Sequence, residues 1–280
     1  MSNLPLSSLP YLPAAGFSPL LRALFKPAAR SSGSALSASY VLDRIDRGHV
    51  QRYNTAFGFL ADTVPLTYLY LLAQRAQLAT MLDCPIPFRI PGLIHVANRL
   101  ALHAPLDMGA SLILTTTLSL PPPSLSGAES CVLATQGFQD DELVFSCDST
   151  YLIKRGQSTQ RGTPAPVEGA ELGSWTLAPD AGRRYAALSG DWNPIHLWPW
   201  SAQLMGMRAP IIHGMHSVAM ASALYQNASG EFATSLVCQF KKPIPLGAQL
   251  MLFGCEITGK LTVLYDGRPA IECEIQSVKK

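Results

Sequence analysis

The chain has 280 residues, of which 48% are apolar and 14% charged, enough to fill one large core or two small ones and far from the disordered class. A net charge of +2, with no basic run longer than Arg183-Arg184, Lys241-Lys242 or Lys279-Lys280, leaves no footprint for nucleic acid. No stretch of about 18 uncharged apolar residues exists, so no membrane span is expected.

The six cysteines, Cys84, Cys131, Cys147, Cys238, Cys255 and Cys273, form no C-x-x-C pair and sit among strand-like apolar residues. They read as buried thiols in a reducing, cytoplasmic setting rather than as disulfides or a zinc site. No basic segment followed by a compact apolar one opens the chain, so no secretory signal is expected. Residues 1–39, rich in Ser, Pro, Ala and Leu, read as an N-terminal arm with a short helix around Pro19 to Phe25.

Beyond the arm, residues 40–158 and 174–280 share one plan. Mixed three- and four-residue apolar spacing predicts a helix over Tyr68 to Leu82, and Gln74, Arg75 and Gln77 within it argue against a membrane helix. Strands follow near Ile94 to Leu102, Ser111 to Leu118, Glu129 to Phe138 and Leu143 to Ile153, with Pro121-Pro122-Pro123 interrupting them. Residues 159–173 lie in a Gly-, Pro- and Ser-rich stretch and read as a linker. In the second half a helix is predicted from about Gly214 to Tyr225. Strands follow near Thr234 to Phe240, Gln249 to Thr258, Lys260 to Tyr265 and Pro269 to Val278, and Asp266-Gly267 marks a hairpin.

Two pieces recur between the halves. Arg52-Tyr53 returns as Arg184-Tyr185, 132 positions on. The pattern P-x-x-x-G-A-x-L-x-L at Pro105 to Leu114 returns at Pro243 to Leu252, 138 positions on. Preserved order and nearly constant offset indicate an internal repeat, each copy a helix wrapped by antiparallel strands in an α+β architecture.

The chemistry concentrates in Tyr185 to Met215. Asp191, Asn193 and His196 fall within six residues, and Pro194 biases Asn193 to an extended turn that lets Asp191 and His196 approach. A carboxylate and an imidazole sharing one water can take and return a proton, and Asn193 can orient them without titrating. Ser189 and Gly190 supply a hydroxyl and a tight backbone. Gly214, at a helix start, offers backbone N–H groups without helical partners to a developing oxyanion. Taken singly, Asp191 reads more simply as a cap and His196 and His213 as core histidines. His216 is assigned to packing, and Trp192, Trp198 and Trp200 to an apolar wall. Their joint occurrence favours the chemical reading.

That stretch closely resembles the signature of MaoC-like dehydratases, the (R)-specific enoyl-thioester hydratases. Tyr185, Ala186, Ser189, Gly190, Asp191, Asn193, Pro194, Ile195 and His196 match it, as do Ala202, Gly206, Ile211, His213, Gly214 and Met215. Phe240-Lys241-Lys242-Pro243 also looks like the family's strand after the central helix. Met207 stands where the family usually has Phe, and Trp198 where an acidic residue is common. The resemblance implies a hot-dog fold for each half, hence a double hot dog with the catalytic motif in the second; the first half, which lacks that motif, is expected to be a degenerate copy that accommodates the acyl tail near Ala73 and Ala76. It implies reversible hydration of trans-2-enoyl thioesters to (3R)-3-hydroxyacyl thioesters in fatty-acid metabolism. Asp191 and His196 would handle water and protons, Asn193 would orient them, and the Gly214 N–H would hold the thioester oxygen. Ser189, Gly190, His213 and Met215 would surround the substrate.

No metal or redox cofactor is implied. The acyl carrier would be coenzyme A or acyl carrier protein, whose phosphates Lys241 or Lys242 could meet, although solvated surface lysines are an equal reading. A homodimer is optional, because two fused copies already supply the pairing. In the first half, Pro65-Leu66-Thr67-Tyr68 could match Pro210 to His213 or Pro194 to His196, and neither register gives a catalytic histidine or helix-opening glycine. A non-catalytic acyl-thioester binder is one rival reading. A hot-dog thioesterase is another, weakened because Gly214 to Tyr225 contains no Asp or Glu.

Overall fold

The computed structural model describes residues 8–30, 36–60, 63–156, 167–255 and 257–279. Residues 1–7 and 31–35 of the arm, and 157–166 of the stretch around the linker, lie outside them.

The chain folds in order as α1 (Phe17–Phe25), β1 (Leu36–Leu42), α2 (Arg47–Phe57), α3 (Leu66–Asp83), β2 (Ile94–Leu102), β3 (Leu112–Ser119), β4 (Glu129–Gln139) and β5 (Glu142–Lys154). The second half repeats the plan with β6 (Ala170–Thr176), α4 (Ala181–Ser189), a 3-10 turn (Pro194–His196), α5 (Pro199–Leu204) and α6 (Gly214–Ser229). It closes with β7 (Glu231–Phe240), β8 (Gln249–Cys255), β9 (Lys260–Tyr265) and β10 (Arg268–Lys279). The strands form one antiparallel sheet in the order β1-β3-β4-β5-β2-β7-β10-β9-β8-β6, which reads the same from either end once β6 to β10 are matched to β1 to β5.

The join between the halves preserves the repeat residue by residue. β2 pairs with β7, and Arg99 lies opposite Val237, its own repeat partner at the 138-residue offset. Ala97 faces Gln239 while Ala101 faces Ser235, so the pairing is self-complementary about Arg99 and Val237. This is the isologous geometry of a symmetric dimer, built here within one chain.

α3 and α6 are the two central helices. Leu69, Tyr70, Leu71, Leu72, Ala73 and Ala76 of α3 are buried on every side, and α6 buries Val218, Ala219, Ala221 and Ala223. A helix apolar all round belongs inside a core. The small alanines of α6 let it lie close against the sheet. Both helices join one continuous core with Leu100, Leu114, Leu236, Leu250 and Val263.

The structure extends the elements expected from sequence. β1 begins inside the segment read as arm, and β6 begins inside the segment read as linker. Both are edge strands, and β6 is mostly exposed and carries Gly173, so neither shows the alternation of a half-buried strand. α2 and α4 are not among the elements expected from sequence. They carry the repeated Arg-Tyr pair and end on left-handed glycines, Gly58 (φ 78°) and Gly190 (φ 80°). At the expected hairpin, Asp266 (φ 53°) and Gly267 (φ 65°) supply the two positive φ angles of a type I′ turn.

The helix starts also settle how the halves correspond. Pro65 precedes α3 where His213 precedes α6, and Leu66 opens α3 where Gly214 opens α6. Both registers considered from sequence are therefore displaced. The first half still has no histidine at the cap and no glycine at the opening, and the Leu66 side chain is buried there.

Candidate active site

Three chain segments meet at Asp191. Helix α4 ends at Gly190, and the chain turns sharply because Asp191 Oδ1 accepts the Asn193 N–H at 3.1 Å and Asn193 Oδ1 accepts the Ile195 N–H at 3.3 Å. These two Asx turns carry the chain into the 3-10 turn that presents His196. From the other side, the His213 ring at the cap of α6 donates Nε2–H to the Asp191 carbonyl at 2.9 Å. From the first half, Gln74 of α3 donates Nε2–H to Asp191 Oδ2 at 2.8 Å.

His196 is buried, at 8% exposure, and its Nδ1 lies 2.8 Å from the Ile211 carbonyl. A carbonyl only accepts, so Nδ1 carries the proton and Nε2 keeps its lone pair. Burial lowers the His196 pKa, while the Asp191 carboxylate and the Ile211 carbonyl oppose that shift. The ring is thus held neutral with a basic nitrogen available. His213 stacks on it at 3.6 Å between centroids, and burial, with His196 next to it, pushes the His213 pKa well down.

Ring nitrogens of His196 and His213 and a carboxylate oxygen of Asp191 lie within 4.8 Å of one another. Such a trio is a conceivable divalent-cation donor set. Here His213 Nε2 spends its proton on the Asp191 carbonyl, and the two rings stack at 28° rather than converging on one point. The geometry fits an acid/base pair better than a coordination shell.

At Gly214 the backbone N–H has no partner within the helix, so the positive end of α6 faces the site. The glycine itself is required by packing. A Cβ there would lie 2.4 Å from Cε1 of Phe240.

A cavity of about 140 Å³ opens beside Asp191. Ser189, Gly190, Asp191, Trp192, Asn193 and Pro194 form one wall, and Gln74, Gln77, Leu78, Met81, Ile90, Leu93 and Tyr151 of the first half form the other. Ala23 and Leu24 of α1 close one side, where the arm is fastened by the Arg75 guanidinium on the Pro13 carbonyl and by Lys26 Nζ on the carbonyls of Leu82 and Cys84. His196 and Gly214 do not line this cavity. His196 is buried behind the wall, in reach of Asp191.

The remaining expected residues fall into place unevenly. Ser189 donates its hydroxyl to the Tyr185 carbonyl at 2.8 Å and accepts the Asp191 N–H, so it shapes the turn and has no proton left for a ligand. Met215 points into the core at 2% exposure rather than into the cavity. Lys241 bonds Gln239 Oε1 at 2.6 Å and pairs with Glu272 at 2.8 Å, while Lys242 bonds the Tyr265 carbonyl and stands over its ring. Neither lysine lines the cavity, so the phosphate reading gains no support from their position. Ala73 and Ala76 are wholly enclosed, and the cavity is shaped instead by Gln74, Gln77, Leu78 and Met81 on the same helix. His216 packs edge-on against Phe57 and Tyr185, while Trp198 and Trp200 stack on each other near the surface.

Sequence reasoning missed Gln74 and His95. Gln74 read as one of several polar residues on a helix, and its partner lies 117 residues away. His95 is held between the rings of Tyr70 and Tyr151 and against Phe240, with Nε2 buried and unpartnered. No local pattern signals either contact.

Comparison with known proteins bears on this geometry. Residues 159–257 match the family model described as MaoC like domain. The chain is 27% identical over 226 residues to 3-hydroxyacyl-thioester dehydratase X of Mycobacterium tuberculosis, covering 77% of this chain and 78% of that one. Its fold superimposes on the crystal structure of HtdX from the same organism with TM-score 0.70 at 24% identity, covering 86% of this chain and 100% of that one. It also superimposes on a MaoC-like dehydratase from Phytophthora capsici with TM-score 0.72 at 18% identity, covering 92% and 97%.

Proposed function

We propose, for a chain whose second half is a MaoC-like domain, that the protein is a hydro-lyase that reversibly adds water to trans-2-enoyl thioesters, giving (3R)-3-hydroxyacyl thioesters in fatty-acid metabolism. The relatives' name as 3-hydroxyacyl-thioester dehydratases supports the reaction class. The observation that carries the reading is the approach of the Asp191 carboxylate to a neutral His196 ring whose Nε2 is free to accept a proton.

In the hydration direction, a water lies between Asp191 and His196. The pair takes one proton from it as its oxygen bonds C3. The C2=C3 π electrons shift toward the thioester carbonyl, whose oxygen gains negative charge near the Gly214 N–H. The proton held by the pair then passes to C2, and the double bond is replaced by C–O and C–H bonds. Asn193 and Gln74 fix the carboxylate and the turn around it. Dehydration runs the same steps in reverse. All of these steps use side chains and backbone alone, so the proposal includes no metal or redox cofactor.

The apolar cavity, rimmed by Leu78, Met81, Ile90 and Leu93, supports an acyl tail running into the first half. Coenzyme A and acyl carrier protein both suit the reaction as carriers. Among the described residues no helix is long and apolar enough to cross a membrane, and six unpaired thiols support a reducing cytoplasmic setting. The test follows the enoyl absorbance with trans-2-enoyl groups of increasing length on each carrier. Loss of absorbance without release of free thiol supports hydration. Thiol release from saturated thioesters would support a thioesterase instead, a reading not favoured by α6, which has no Asp or Glu.

A further inference from the structure

The repeat places a second cavity where the first half would have carried its own site. Helix positions correspond directly. Gln74, Gln77 and Leu78 line the first cavity at fixed distances from the start of α3, and Ser222, Tyr225 and Gln226 line the second at the same distances from the start of α6. The segment after α2, with Phe59 and Val64, faces them as the Asp191 turn faces α3. This second cavity, at about 360 Å³, is the larger of the two and falls within the range of small-molecule sites.

Its chemistry differs from that of the first. Among the described residues lining it there is no histidine, lysine or arginine, and the single carboxylate, Glu231, already accepts the Ser277 hydroxyl. Leu66 opens α3 where Gly214 opens α6, and no acid/base pair lines the space. The hydroxyls of Thr63, Tyr225 and Thr234 have partners, and the enclosed polar side chains that remain are Thr67, Ser222 and Gln226. Ser222, at 7% exposure, has a buried hydroxyl with no partner, and Gln226 is equally enclosed at 6%. A buried hydroxyl without a partner costs on the order of 1–3 kcal/mol, a deficit that a bound polar group would relieve. Phe59, Val64, Leu102, Leu106 and Leu236 supply its apolar surface.

We propose that this cavity is a second, non-catalytic site for one saturated acyl chain ending in an uncharged amide or ester. The apolar side chains take the chain, Ser222 and Gln226 hydrogen-bond the head, and a lining that holds Glu231 but no Lys, Arg or His disfavours a carboxylate head. The acyl character of the ligand rests on the proposed function, through the correspondence with the first cavity.

Octanamide and octanoate serve as probes, with binding measured by titration calorimetry on the full chain and hydration of a trans-2-enoyl thioester followed separately. Octanamide is expected to bind saturably, and octanoate at least tenfold more weakly. Ser222→Leu, which fills the cavity, should weaken octanamide at least tenfold while hydration persists. Leu78→Trp, which fills the first cavity, should leave octanamide binding unchanged. If Ser222→Leu does not fold, as judged by circular dichroism, Leu106→Trp on the loop wall takes its place. No octanamide binding up to its solubility limit, binding unaffected by Ser222→Leu or Leu106→Trp, loss in Leu78→Trp, or equal binding of octanoate would each overturn the proposal. Because binding is read apart from turnover, an absence of hydration would count against the proposed function and leave this result standing.

Discussion

Gln74 Nε2 lies 2.8 Å from Asp191 Oδ2, so a residue of the first half holds the carboxylate on which the second half depends. Hydrogen bonds to a charged acceptor are worth roughly 1.5–3 kcal/mol. Gln74→Leu should therefore lower kcat for enoyl-thioester hydration about tenfold to a hundredfold, with a smaller change in KM. Gln74→Glu should be worse, since a second carboxylate would face the first. Steady-state kinetics on both variants checks this, and an unchanged kcat in Gln74→Leu would remove Gln74 from the site.

Gly214 and Phe240 are locked together by sterics. A Cβ at 214 would come within 2.4 Å of the Phe240 ring, and overpacking of this kind costs about 1–3 kcal/mol. Gly214→Ala is expected to lower the thermal midpoint by several degrees, and Phe240→Leu should recover part of the loss. A double-mutant cycle by thermal unfolding measures the coupling, and strictly additive effects would show that the ring does not set the requirement.

Much of this arrangement was readable from residues 185–215, because the Asx turns, the 3-10 turn and the cap at His213 are local and short. Repeat spacing also exposed the two-fold plan. What sequence could not supply was depth. Ser189, Met215 and Lys242 sit within or beside the motif, yet their side chains bond the backbone or enter the core. Gln74 meets Asp191 across 117 residues, and His95 meets Phe240 from the other half, contacts that no local spacing announces. The edge strands β1 and β6 escaped notice because one face of each meets little core.

His95 and His216 make the fold sensitive to acid. Burial lowers each from an ordinary pKa of 6.5 to about 4. Between those values the unfolded chain binds the proton and the folded chain does not. Stability is therefore complete above pH 6.5 and falls as pH drops toward 4, by up to about 1.4 kcal/mol per pH unit for each histidine. His216→Phe, which keeps the packing against Phe57 and Tyr185, should flatten that slope by about one proton in unfolding measured from pH 7 to 4.5. An unchanged slope would contradict the assignment.

Chain-length preference should follow the residues that line the cavity. Leu78→Trp and Met81→Trp are expected to cut kcat/KM for long enoyl chains at least tenfold while sparing the four-carbon substrate. Ala76→Leu should instead lower stability with little change in the length profile, because Ala76 is enclosed in the core. Profiles over a series of trans-2-enoyl thioesters distinguish these outcomes.

Whether Asp191 and His196 act as a pair on water is decided by the kcat of Asp191→Asn and His196→Ala. General acid–base groups contribute about 10²–10⁴-fold. Each variant, folded by circular dichroism, is expected to hydrate trans-2-enoyl thioesters at least a hundredfold more slowly than the wild-type chain. Full activity in both variants, or a wild-type chain inactive on every chain length and carrier, would contradict that pairing.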